Sequence, residues 1–181
     1  MGLFLLAGAA GALPASATAP QAFAPSYTVT LTGYNAVPGQ TDDTPFVTAS
    51  GAYTNPEIVA ARSQDLRDEM PFGTIIAIQG PASNNNGGCS YDKVNGSIGY
   101  RVIADTMNAR FKDRIDVLFA IKDRYILPNG GTMNAASLLG ACPGTTVRVV
   151  GFVDISKPGN LPKSQAELAA YIEKGTPLAI K

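Results

Sequence analysis

The chain has 181 residues, with 14 basic and 14 acidic side chains, so its formal net charge is zero. This length suits one compact domain, and the balanced charge gives no sign of a nucleic-acid-binding surface or a polybasic membrane patch. Histidine and tryptophan are both absent, which excludes Ser-His-Asp and Cys-His nucleophiles, His-ligated zinc and tryptophan-lined sugar sites. Acid/base chemistry would therefore depend on Asp, Glu, Tyr, Lys or Cys, and we expect neither a metal nor a cofactor.

The N-terminal segment is typical of an export signal. MGLFLLAGAAGALPASATA is apolar and ends in the small residues A-S-A. The apolar run is shorter than the roughly 18–20 residues that span a bilayer, so no stable membrane span is expected. We expect residues 1–20 to be a signal peptide or unstructured export segment and residues 21–181 to form one domain. The predicted location is periplasmic or secreted, and the predicted state is a monomer.

The strand predictions follow from short β-branched runs with alternating polarity. YTVTLTGY is a half-buried strand of this kind, and TIIAIQG is a fully apolar one. Long loops rich in glycine and proline connect the runs, which favours a small closed β-barrel, with a two-sheet sandwich as the alternative. The predicted strands are residues 27–34, 57–61, 74–80, 97–105, 114–121 and 145–155. The TASG of VTASGAY fits a turn as well as a segment that binds sugar hydroxyls.

Few helices are predicted. A helical turn begins at Ser63 or Asp65 and stops before Pro71, and a short helix lies within TMNAASLLG. Near the C-terminus, Ser164 and Glu167 have the spacing of a capping box, and Gly175 ends that helix.

The two cysteines, Cys89 and Cys142, each lie in a loop rich in glycine. Neither is part of a C-x-x-C motif, so a redox or metal site is poorly supported. In an exported protein the simplest expectation is one structural disulfide, and two free thiols are the alternative.

Two aspartates stand out, eleven positions apart in IADTMNARFKDRIDVLF. Asp105 and Asp116 each adjoin a β-type apolar run, and the basic residues Arg110, Lys112 and Arg114 lie between them. An aspartate at a strand end is commonly a turn or cap residue. The other interpretation is that the pair supplies acid/base chemistry.

This stretch resembles the 3D domain, named for three aspartates and shared by the membrane-bound lytic transglycosylase A family and stationary-phase muralytic proteins. The family pattern is similar to A-D-T-G-G-A-I-K-G-x-x-I-D-V-[YF], with Met107-Asn108 here at the Gly-Gly and Phe111 at the Lys. TASGAY resembles the T-A-S-G segment, and the stretch from VAARSQD to PFGTIIAI resembles the segment around the third aspartate. The residues that match the pattern in register are Asp105, Thr106, Ala109, Arg114, Ile115, Asp116 and Val117.

The resemblance implies a six-stranded double-psi β-barrel that acts on peptidoglycan glycan strands. The implied reaction is lytic cleavage between MurNAc and GlcNAc, leaving a 1,6-anhydro end. Asp116 is the implied general acid/base, Asp105 its partner, and Asp65 the third aspartate, with Asp68 as its competitor. The implied substrate-binding residues are Thr48, Ser50, Thr106 and Arg114. The alternative function is a non-catalytic, expansin-like glycan-binding barrel.

The residues themselves are compatible with that chemistry. An acid that acts near neutral pH needs a raised pKa, which apolar neighbours such as Ile115, Val117 and Phe119, together with Asp105, would provide. Strand alternation places Asp116 on the face of Arg114 and Leu118. The tyrosines Tyr34, Tyr53 and Tyr100 are predicted as core or barrel-rim residues rather than sugar platforms.

Overall fold

The computed structural model describes residues 24–39, 41, 44–82, 88–157 and 159–174. The predicted export segment and the helix stop at Gly175 lie outside these residues.

Six strands close into a barrel in the order β1-β5-β2-β4-β3-β8, and two short strands form a separate hairpin. The protein is therefore mainly β with a closed six-stranded barrel, as predicted, and not a two-sheet sandwich. The double-psi connection remains a prediction. The barrel strands are β1 (Ser26–Asn35), β2 (Val59–Arg62), β3 (Thr74–Gln79), β4 (Tyr100–Thr106), β5 (Arg114–Phe119) and β8 (Cys142–Phe152), and the hairpin is β6 (Arg124–Ile126) with β7 (Thr132–Asn134).

Neighbouring strands in the barrel are distant in the sequence. The pairs β1–β5 and β2–β4 are parallel, whereas β2–β5 and the three remaining pairs are antiparallel. Parallel neighbours require long crossing connections. In the barrel order, β2 lies between β4 and β5, the two strands that carry Asp105 and Asp116.

The strand predictions differ from the structure mainly at their ends. The predicted strand 97–105 begins only at Tyr100, because Asn95–Ser97 form a turn of 3₁₀ helix. VTASGAY is a tight loop closed by a single bridge between Val47 and Tyr53. The β6–β7 hairpin was not predicted, because three-residue strands are too short to show an alternating pattern.

The helices are short. Of the predicted caps, Ser164 is confirmed, whereas Ser63 takes the N-cap position of its turn without a capping bond from its side chain. A 3₁₀ turn covers Gln64–Leu66 after Ser63, and the Asn134 side chain accepts a bond from the Ala136 N–H at the start of the helix within TMNAASLLG. Ser164 caps the last helix by accepting from the Glu167 N–H, and the Glu167 carboxylate accepts from the Lys163 N–H. The α-helices are α1 (Tyr91–Val94), α2 (Ala135–Leu139) and α3 (Gln165–Glu173).

Apolar side chains pack on both sides of the sheet. One cluster includes residues of all six barrel strands and forms the barrel interior, among them Leu31, Ala60, Ile76, Ile103, Val117 and Val147. A second cluster covers part of the outer face and includes Val59, Ala61, Val102 and Leu118 of the strands and Leu168 of α3. The alternation along β5 therefore directs Ile115 and Val117 inward, so Asp116 and Leu118 point outward.

Cys89 and Cys142 form a disulfide across 53 positions of the chain, as predicted. The bond joins the loop before α1 to Cys142, the first residue of β8, and Cys89 also forms a β-bridge with Gly140 just before that strand. The disulfide therefore attaches the loop before α1 to the barrel.

We expect the Cys89→Ala/Cys142→Ala variant to lose about 4 kcal/mol of unfolding free energy, because a loop of this length gains that much chain entropy when unfolded. Guanidinium titration measures the loss. Dithiothreitol should destabilise the wild type by a similar amount and leave the double variant unchanged. A loss below about 1 kcal/mol would show that the bond adds little to the barrel.

Candidate active site

The two aspartates lie in one row across three adjacent strands. Asp116 of β5 is in register with Ala61 of β2, and Ala61 is in register with Asp105 of β4. Thr32 of β1 continues the row on the other side of Asp116. Residues in register share a face of the sheet, so the two carboxyls lie on the same outer face, about 10 Å apart at their Cα atoms. The methyl group of Ala61 leaves the space between them open.

A groove of about 570 Å³ covers this row. Tyr34, Ala61, Asp105 and Asp116 contribute to its lining. One side is formed by the loop with Pro45, Val47, Ala49 and Thr54, and another by residues 106–108 together with Arg110 and Phe111. Asp105 and Asp116 thus converge on one open groove.

Three donors hold the Asp105 carboxylate in one orientation. Its Oδ2 accepts a bond of 3.0 Å from the Tyr34 hydroxyl, and its Oδ1 accepts from the backbone N–H groups of Ala49 (3.0 Å) and Thr106 (2.9 Å). Burial and the neighbouring Asp105 raise the pKa of Tyr34 far above its ordinary value, so the phenol remains a donor at all working pH values. Tyr34 is buried, as predicted, and also has this polar role.

Asp116 has the opposite environment. Its Oδ1 is buried and has no hydrogen-bond partner among the described residues. Loss of solvent raises the pKa of Asp116 to about 7, with a further contribution from Asp105, while Thr32 and Arg114 act in the opposite direction. Ile115 and Val117 point into the barrel, so they do not supply the burial of the Asp116 carboxyl, which lies on the outer face. Asp116 therefore exchanges a proton near neutral pH.

The turn between the aspartates closes without the family's Gly-Gly. The Met107 side chain is buried in the outer cluster, and its N–H donates to the Arg62 carbonyl at 2.9 Å. The Asn108 side chain accepts from the Arg110 N–H at 3.1 Å, which stabilises the turn. Among the described non-glycine residues, a positive φ occurs at Asp113 (47°), further along the loop. Met and Asn are therefore accommodated without strain.

Asp65 does not line the groove. Its Oδ2 accepts a bond of 2.8 Å from the Asp113 N–H, so it fastens the loop that leads into β5. Slight burial acts to raise the pKa of Asp65, but the hydrogen bonds from Asp113 and Ser63 outweigh it and leave the pKa below its ordinary value. Asp68, its competitor, lies on the surface in an ion pair with Arg67. The structure thus brings two of the three predicted aspartates together.

The predicted substrate-binding residues divide in the same way. Thr106 lines the groove. The Thr48 and Ser50 hydroxyls lie 2.9 Å from each other, and Thr48 also donates to the Ala52 carbonyl, so both stabilise their own tight loop. Arg114 packs against the ring of Phe111 and is not part of the groove lining. The Ala49 N–H, which the sequence did not indicate, provides a direct contact of this loop with Asp105.

The remaining tyrosines are more exposed than Tyr34. Tyr100 is partly exposed at the start of β4. Tyr53 was predicted as a core or rim residue, but 79% of its surface is exposed, on the loop beside the groove. Phe46 of the same loop is 67% exposed. This loop therefore presents apolar surface to solvent next to the two aspartates.

The pKa of Asp116 predicts an unusual dependence of stability on pH. The folded chain keeps this proton up to about pH 7, whereas the unfolded chain loses it near 3.8. Between these values the folded state binds more protons, so the free energy of unfolding falls as pH rises. Above pH 7, ionisation of Asp116 has lowered the free energy of unfolding by at most about 4 kcal/mol.

Asp116→Asn removes this cost. We expect the variant to be more stable than the wild type at pH 8 and about equally stable at pH 4, as measured by urea titration at both pH values. Asp68→Asn is the matched control, since that side chain is 88% exposed, and it should follow the wild type. If the free energies of unfolding of Asp116→Asn and wild type differed by the same amount at both pH values, the raised pKa of Asp116 would be contradicted.

Within the described part of the chain, no group of His, Cys, Asp or Glu side chains is arranged to hold a metal ion. None of the described helices has the length and apolar character needed to cross a membrane. No protein-family model matches this chain, and no curated protein matches it.

Proposed function

We propose that the protein is an exported, peptidoglycan lytic transglycosylase-like enzyme that cleaves the bond from MurNAc to GlcNAc with Asp116 as general acid/base. The observation that carries this proposal is a carboxyl with a pKa of about 7, directed into an open groove beside a second, firmly held carboxylate. Strongly different environments for two nearby carboxyls are characteristic of sites where they have different chemical roles.

The reaction needs only one proton-transferring group. The protonated Asp116 donates its proton to the glycosidic oxygen as the bond from C1 of MurNAc breaks, which releases the hydroxyl of the departing GlcNAc. Positive charge then develops on the MurNAc ring, and the resulting Asp116 carboxylate removes the proton from the C6 hydroxyl as O6 bonds to C1. The product is a 1,6-anhydro sugar, and the carboxyl is protonated again without using water.

Asp105 has a supporting role in this scheme. It lies on the same face as Asp116, and its charge contributes to the raised pKa of that group. The bonds from Tyr34, Ala49 and Thr106 prevent it from turning away. A fixed negative charge beside the groove also stabilises the positive charge that develops on the sugar ring.

An exported location belongs to the same proposal. The Cys89–Cys142 disulfide is compatible with an oxidising compartment outside the cytoplasm. The peptidoglycan substrate would lie in that compartment.

The proposal is tested by digesting purified sacculi and analysing the released fragments by mass spectrometry. We expect 1,6-anhydromuropeptides from the wild type. Fragments with ordinary reducing ends, which incorporate ¹⁸O from labelled water, would identify a hydrolase instead. An absence of released fragments would exclude both enzymes under these conditions.

The second candidate is a non-catalytic, expansin-like glycan-binding barrel. The exposed rings of Phe46 and Tyr53 beside the groove favour it, because flat apolar surfaces next to polar groups are suited to sugar rings. In this case the protein would sediment with insoluble sacculi without releasing fragments, and binding would weaken in Tyr53→Ala. Ile126→Ala is the control, since Ile126 is equally exposed on the separate β6–β7 hairpin.

A further inference from the structure

Two arginines are stacked on one aromatic ring at the side of the groove. The guanidinium carbons of Arg110 and Arg114 each lie 4.7 Å from the centre of the Phe111 ring. Arg110 and Phe111 both line the groove. A guanidinium that stacks on a ring keeps its N–H edge free, so it can still bind a carboxylate through two parallel hydrogen bonds.

The positive charge of this cluster is not neutralised by an ion pair. Within the described residues, the ion pair that forms is between Arg67 and Asp68, and neither Arg110 nor Arg114 has a carboxylate at that distance. The Nε of Arg114 is also buried without a hydrogen-bond partner in the same part of the chain. Two positive charges on one ring, with Arg110 lining the open groove, favour the binding of an anion there.

The cluster is held in place before any ligand binds. The Asn108 side chain accepts from the Arg110 N–H at 3.1 Å, and the Asn108 carbonyl accepts from the Phe111 N–H at 3.0 Å. Arg114 is the first residue of β5, and its N–H donates to the Ser63 hydroxyl at 3.0 Å. Two residues further along the same strand is Asp116. The spacing between Arg114 and the candidate acid is therefore set by strand β5.

We propose that Arg110, which lines the groove and shares the Phe111 ring with Arg114, forms a subsite for a carboxylate carried by the glycan strand. This inference rests on the proposed function, since it identifies the substituent that the groove recognises next to the cleaved bond. A single carboxylate suits the groove better than a phosphate, because the Asp105 carboxylate repels a doubly charged group more strongly. The carboxylate has two possible sources: the lactyl arm, which is free in strands without peptide, and the peptide stem of intact strands.

The test measures binding, so that it does not depend on cleavage. Asp116→Asn serves as the background, and isothermal titration calorimetry is performed with three soluble probes. These are a neutral chitooligosaccharide, glycan strands with the peptides removed, and glycan strands that carry their peptides. We expect Arg110→Gln to weaken binding of at least one carboxylate-bearing probe about tenfold, and binding of the neutral probe less than twofold.

Lys112→Gln is the matched control, because this exposed side chain lies in the same loop and loses the same charge. It should change every affinity less than twofold, which excludes a general effect of net charge. Arg110→Lys should restore only part of the affinity, because an ammonium cannot form the paired bonds. Loss with the peptide-free strands identifies the lactyl carboxylate, and loss restricted to the peptide-bearing strands identifies the stem.

Three results would overturn the inference: no binding of either carboxylate-bearing probe, equal weakening of all three probes by Arg110→Gln, or equal effects of Arg110→Gln and Lys112→Gln. The proposed function is judged separately from the sacculus digests of the wild type. If the digests show no cleavage but the binding result is positive, the protein would be a glycan-binding barrel that recognises carboxylates.

Discussion

Asp116→Asn is expected to reduce glycan cleavage by a factor on the order of 10³ or more while the barrel stays folded. An amide is isosteric with the carboxyl but can neither donate the proton to the glycosidic oxygen nor remove one from the C6 hydroxyl. Both steps of the proposed reaction therefore fail at once. The rate of dye release from labelled sacculi measures the loss, and circular dichroism confirms the fold.

The control for this experiment is Asp68→Asn, the same chemical change on the exposed aspartate that competed with Asp65 for the third position. It should retain activity within about twofold, because its surface ion pair contributes little. Retention of more than a tenth of the activity by Asp116→Asn would remove this residue from the mechanism. The acid would then have to be sought elsewhere in the groove.

Arg101→Met is expected to cost on the order of 5 kcal/mol of unfolding free energy. Arg101 is 1% exposed, and its guanidinium donates to backbone carbonyls of the loops and strands around it, including those of Pro56 at 2.6 Å, Ser97 at 2.6 Å and Leu118 at 3.1 Å. Burial lowers the pKa of Arg101 to about 10, so it stays charged at neutral pH. Methionine fills similar space but leaves these buried acceptors without donors.

Urea titration of Arg101→Met measures this cost, with Arg67→Met as the control. The Arg67 side chain is 74% exposed, so its replacement should cost less than about 1 kcal/mol. If both variants lost the same small amount, the carbonyls around Arg101 would have other partners. Arg101 would then contribute little to the free energy of unfolding despite its burial.

The barrel could be predicted because alternation and β-branched runs are local signals. The disulfide could be predicted because two cysteines allow one pairing. The neighbours of each strand could not, since the placement of β2 between β4 and β5 depends on contacts between distant segments. Ala61, which separates Asp105 from Asp116, therefore gave no signal in the sequence.

The buried arginines show a second limit. A charged residue in a strand is normally interpreted as exposed, but Arg62 and Arg101 are both buried, with their donors on backbone carbonyls. Asp65 shows a third limit, because its position shortly before PFGT could not reveal that its carboxylate accepts from the Asp113 N–H. The resemblance implies that Asp65 is a site residue, whereas in the structure its carboxylate stabilises a loop outside the groove.

Asp116 is expected to exchange its proton near pH 7 while it lines an open groove. Carboxyl ¹³C chemical shifts, followed from pH 3 to pH 9 and assigned by comparison with Asp116→Asn, test this without any substrate. One aspartate resonance should titrate near pH 7 and be missing from the variant. An Asp116 resonance that titrates near pH 4 would contradict it.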